Sequence, residues 1–149
     1  MPDLHIDDFY SDAGRVLMQL YQTFPRKSAI YVEDISGPDE PDEYGLHSKR
    51  YLACLSAMIW LAEQGYLSYE SCIRQEAIDQ AALSHKGFTL LSSRCELDRD
   101  QNGAQRVATS TMEQPRSNIA HLRRAIKSRS SATVEQTMQY LLGNAHRFQ

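Results

Sequence analysis

Few of the groups that build metal centres or covalent frameworks are present in this chain. Its 149 residues hold three cysteines, Cys54, Cys72 and Cys95. Their number is odd, no two stand as C-x-x-C and no H-x-x-x-H lies nearby, which leaves neither a disulfide framework nor a zinc site of recognisable spacing. Each cysteine reads as a small buried hydrophobe in a reducing compartment. Long apolar runs are missing as well: the longest uncharged stretch, residues 51–62, is twelve residues, against the ~20 that a spanning helix requires. The opening Met-Pro-Asp-Leu-His-Ile-Asp-Asp has no apolar core, so the expectation is no signal or transit peptide, and a cytoplasmic protein. A Gly-rich phosphate loop, a nucleophile elbow and H-E-x-x-H are absent too. His5, His47, His85, His121 and His146 are dispersed along the chain. The expectation is therefore a non-enzymatic protein with no catalytic residues, no cofactor and no metal.

What is present is an ordinary globular composition, 42% hydrophobic and 23% charged, enough apolar surface to offset the entropy of ordering one core. The net charge of −3 hides a division. Residues 1–113 carry ten Lys/Arg against eighteen Asp/Glu, a net of −8, whereas residues 114–149 carry six against one, a net of +5. An acidic body thus precedes a basic tail.

Apolar residues recur at three- and four-residue steps from Ile6 through Phe9, Ala13, Val16, Leu17 and Leu20 to Phe24, which predicts a first helix closed by Pro25. Asp7, Asp8 and Asp12 then sit near the positive end of its dipole. Residues 28–32 are β-rich and too short for a helix, and residues 33–45 form an acidic loop with two prolines, two glycines and six acids, holding at most one helical turn. A long helix is expected over 46–64, with His47 or Ser48 as N-cap, Leu52, Leu55, Ile59 and Ala62 as its inward stripe, and Gly65 as its stop. Residues 66–70 and 81–83 read as strands joined by a loop of about eight to ten residues, and Ser84 caps a short helix. Composition turns polar from Cys95 to Arg116, a linker. Beyond it, Ile119, Leu122 and Ile126 form one stripe and Val134, Met138 and Leu141 another. They belong to one bent helix or to two, the second starting at a Thr133/Gln136 capping box. A stripe so narrow needs a covering surface, either a second subunit or the body of its own domain.

The fold class is therefore α+β and mostly helical, with a domain at 1–94, a linker at 95–116 and an amphipathic basic tail at 117–143 for dimerisation or docking. The phrase Trp60-Leu-Ala-Glu-Gln-Gly-Tyr-Leu67 resembles the end of the recognition helix and first wing strand of winged helix-turn-helix domains. Leu83-Ser-His-Lys-Gly-Phe-Thr-Leu-Leu91 is similar to the phrase in which their second wing strand enters a closing helix. The resemblance covers residues 6–93 and none of the tail. It implies that the helix from Leu46 enters a major groove of double-stranded DNA. His47, Ser48, Lys49 and Arg50 would then lie at the duplex, with Arg26, Lys27, Arg74 and Lys86 at its backbone, in a dimeric transcriptional regulator.

Other residues point away from DNA. Asp39, Glu40, Asp42 and Glu43 precede that helix and repel phosphates. Past Arg50, its face opposite the inward stripe is Ala53, Ser56, Ala57 and Trp60, groups suited to packing against another protein. The alternative is a protein interaction module that binds no DNA. The tail's Arg116, Arg123, Arg124, Lys127 and Arg129 suit docking onto the acidic body or exchange within a homodimer, and membrane binding ranks last because the tail has no Trp or Phe before Phe148.

Overall fold

The computed structural model describes residues 4–95 and 116–145; most of the expected polar linker lies outside the described residues. Within them the chain is α+β. In order come α1 (Leu4–Thr23), β1 (Ser28–Tyr31), α2 (Val32–Ser36), α3 (Lys49–Glu63), β2 (Leu67–Ser68), β3 (Ser71–Ile73), β4 (Ala77–Leu83), α4 (His85–Ser92), α5 (Asn118–Lys127) and α6 (Ser131–Gly143).

Strand β4 is the centre of a small antiparallel sheet, with β1 along one edge and β2 and β3 in succession along the other. Ile30 faces Ile78 and Tyr31 faces Ala77, while Leu67 faces Leu83 and Cys72 faces Ile78. The register of β1 against β4 shifts between Ser28 and Ile30. Gln80 has φ +53° there, the mark of an extra residue bulging out of a strand. The long loop expected between the strands is instead a tight turn, in which Glu76 N donates to Ile73 O at 2.7 Å and both Arg74 and Gln75 have positive φ. Such turns favour Asn-Gly. Arg-Gln gives no such signal, so the pairing of β3 was not visible in the sequence.

Helix α3 begins later than its apolar pattern suggests, because Asp42 Oδ1 accepts from the backbone N–H of Tyr44 and Leu46 and Asp39 Oδ2 accepts from that of Ser48. Those bonds hold the chain in a turn until Ser48, whose hydroxyl caps Tyr51 N at 3.2 Å. The far end has the expected glycine stop. Gly65 sits at φ +86°, and the bonds Gly65 N to Ala62 O and Tyr66 N to Leu61 O form a Schellman closure.

The core gathers around α1, whose Ala13, Val16, Leu17 and Leu20 are fully buried between α3 on one side and α5 and α6 on another. Residues 117–143 are thus not an appended arm. Ile119, Leu122, Val134, Met138 and Leu141 are buried in the same hydrophobic cluster as the body, with Ile126 packed at its edge. Gly14 makes room for them: a side chain there would press on Leu122 Cδ1 at 3.2 Å and Met138 Sδ at 3.3 Å. The start of the tail is pinned to the end of α4 by Asn118, which is buried and donates from Nδ2 to Leu90 O at 2.6 Å, and by Asn118 N to Ser93 O at 2.7 Å. The tail is two helices. Arg129 at φ +57° ends the first, and the cap of the second is Ser130, accepting from Thr133 N at 3.3 Å, three residues before the Thr133 start that the pattern suggested.

Ser84 caps α4 by accepting from Gly87 N at 3.0 Å, and a Cβ at Gly87 would overlap the carbonyl oxygen of Tyr66. Neither backbone segment can yield without disturbing the sheet or the helix. Gly87→Ala is therefore expected to lower unfolding free energy by about 2 kcal/mol or more, read as a fall in the urea midpoint at unchanged slope.

Candidate functional site

Of the residues expected at a duplex, most are engaged within the chain. Arg50 donates from Nη1 and Nη2 to the two oxygens of Asp12 at 2.6 and 2.7 Å, and its Nε lies 3.3 Å from Asp8 Oδ2. Asp12 is only 1% exposed. A carboxylate so buried requires a charged partner; Arg50 keeps 38% of its side chain exposed, so solvent screening places the loss of the pair below the ~3–5 kcal/mol of a fully buried one. The hydrogen bonds that Arg50 donates to Asp12, reinforced by both carboxylate charges, raise its pKa further. Arg50 is a strut between α1 and α3.

His47 and Ser48 are engaged likewise. His47 Nδ1 lies 3.0 Å from Asp39 Oδ2, and its ring stacks on Tyr51 with centroids 3.8 Å apart. Hydrogen bonds from Ser48, with a smaller contribution from His47, hold the Asp39 carboxyl below its usual range. The acidic loop is thus a latch closed over the start of α3. Beside it, Tyr31, Glu33, Asp39, Pro41, His47, Tyr51 and Glu76 line a small pocket of about 180 Å³, whose three carboxylates repel phosphate.

The remaining cations are spread out. Lys86 Nζ donates to Gln64 O at 3.0 Å and lies 4.4 Å from the centre of the Tyr66 ring, at the C-terminal end of α3, about 22 Å along the helix from Lys49. Arg74 marks the β3–β4 turn, near the Tyr31 end of β1, whereas Arg26 and Lys27 lead into its opposite end. Lys27 faces Glu70 at 3.6 Å, both exposed. Only Lys49, Arg26 and Arg74 among the eight show no side-chain partner within the described residues, and they do not share one end of the sheet.

Between these points α3 presents a different surface. Leu52, Ala53, Ser56 and Trp60 are exposed, spaced one, three and four residues apart so that they share one helix face. Leu52 is 37% exposed, although its spacing suggested an inward stripe; Ala57 is 3% exposed and belongs to the core, not to the outer face. The apolar arc of α3 is wider than the core can cover, and its surplus is turned out by one position. Trp60 stands edge-on to Phe9, centroids 5.1 Å apart, which fixes the indole at the rim of the patch.

No protein-family model matches this chain, and no match is found among curated proteins or solved structures. The site must be read from its own chemistry. Cys54 is buried and its thiol is pushed up to about 12 by that burial, so it is no nucleophile at neutral pH. Cys72 is exposed, unlike the three buried thiols expected. Among the described residues no group of His, Cys, Asp and Glu is placed to hold a metal ion, and no helix is long and apolar enough to cross a membrane. What sequence reasoning missed is Asp12, whose place near a helix N-terminus disguised it as a dipole acid.

The latch has a pH signature. A carboxylate held low in the folded state stabilises fully above its unfolded pKa of about 3.9 and loses that contribution as pH falls through the lower folded value. Below pH 4 the His47 ring resonances in NMR spectra are expected to shift as the latch opens, and Asp39→Asn is expected to show the open-latch shifts already at pH 6.

Proposed function

We propose that this chain is a winged-helix-like protein interaction module that docks a partner protein on the outer face of α3. The order helix, strand, short helix, long helix, hairpin, helix supports the winged-helix part of this reading. The observation that carries the docking part is the outer face itself. Where a groove-reading helix needs donors and cations, α3 offers Leu52, Ala53, Ser56 and Trp60, with Lys49 alone at its start. Tryptophan is among the side chains most enriched at interface centres. The carboxylates around the N-terminal end of α3 oppose the counterion release that gives DNA binding its affinity.

A regulator that binds DNA through the exposed Lys49, Arg26 and Arg74 is the second reading, and one titration separates the two. Fluorescence anisotropy with a random-sequence duplex at about 50 mM salt is expected to show no binding, and a photo-crosslinker placed at Ser56 is expected to capture a protein, loss of which follows Trp60→Glu. Salt-sensitive duplex binding that disappears in the Lys49→Glu, Arg74→Glu double variant would instead establish the DNA reading.

A further inference from the structure

Arg15 and Arg129 stand on the two walls of a cleft of about 460 Å³ between α1 and the α5–α6 junction. Neither arginine has an ion-pair partner among the described residues. Ser11 and Ser130 add hydroxyls, Ile126 and Val134 supply an apolar wall, and Asp7 is the one acid. This is the make-up of a small-molecule site: a few hundred cubic ångströms, apolar in part, with a small number of convergent polar groups. Two guanidinium groups against one carboxylate leave the lining at +1. Guanidinium planes match the two oxygens of a carboxylate or phosphate. Arg129 occupies a left-handed backbone position, φ +57°, where glycine would be the least strained residue, and both it and Arg15 are exposed residues of the lining.

We propose that this cleft binds a small organic oxyanion, a carboxylate or a phosphate monoester attached to an apolar group, with Arg15 and Arg129 clasping the oxyanion and Ile126 and Val134 packing the apolar part. The site is built from α1 and the tail, and needs neither the outer face of α3 nor its partner.

Benzoate and phenyl phosphate represent the two sources of the oxyanion, and benzyl alcohol is a neutral control of similar shape. Amide chemical-shift titrations of the full chain are expected to place at least one anion at residues 11, 15 and 129–131, with a Kd of about 1 mM or tighter, and benzyl alcohol about 10-fold weaker. Arg129→Gly suits the backbone there and keeps the fold. It and Arg15→Gln are each expected to weaken the anion about 5-fold or more. The proposal is overturned if neither anion binds, if benzyl alcohol binds equally well, if the shifts map elsewhere, or if both variants bind like the parent chain.

Discussion

The paired Arg50 and Asp12 side chains are the constraint from which the arrangement of the body follows. Asp12 is enclosed by the core, and a carboxylate there is tolerable only with its charge matched and its oxygens hydrogen-bonded. Arg50 meets both oxygens from the first turn of α3, so it joins two helices and fixes the roll of one against the other. That roll sends Tyr51, Cys54, Met58 and Leu61 inward and leaves Leu52, Ala53, Ser56 and Trp60 outside. Arg50 itself stays partly exposed, with 38% of its side chain accessible. The same bond that seats α3 also engages a guanidinium at the helix start.

Two positions further along α1, Gly14 admits the tail. The seam with α5 and α6 is apolar, built on Leu122, Met138 and Leu141, and Arg123 of α5 lies 5.6 Å from the centre of the Tyr21 ring of α1. Burial of these side chains holds the basic tail on the acidic body. Charge that is not spent on the seam stays at the surface, and Arg129 brings part of it to the cleft beside α1. Helix α1 thus serves three surfaces, the strut to α3, the tail seam and the cleft.

Much of the fold was legible because it is local. The 3.6-residue pattern of α1, the glycine stop at Gly65 and the cap at Ser84 each announce themselves within a few residues. What was hidden depends on partners distant in sequence. Asp12 lies thirty-eight positions before Arg50, and at the start of a helix an aspartate is explained well enough by the dipole. Leu52 fits an inward stripe by spacing alone, and only the roll set by the strut shows that it faces out. The tail's stripes declared that something must cover them, but the covering groove is defined by Gly14, a residue without a side chain to read. The β3–β4 turn was obscured by Arg74 and Gln75, which take conformations usually left to asparagine and glycine.

The most direct measurement is a double-mutant cycle on the strut, with Asp12→Asn, Arg50→Met and the double variant unfolded in urea. A pair with a buried carboxylate and a part-exposed guanidinium is expected to cost about 2 kcal/mol for Arg50→Met alone, with a coupling of about 1 kcal/mol or more between the two sites. Changes that are additive and each smaller than about 0.5 kcal/mol would show an ordinary surface ion pair, and Arg50 would then be as free for nucleic acid as its position in the sequence first suggested.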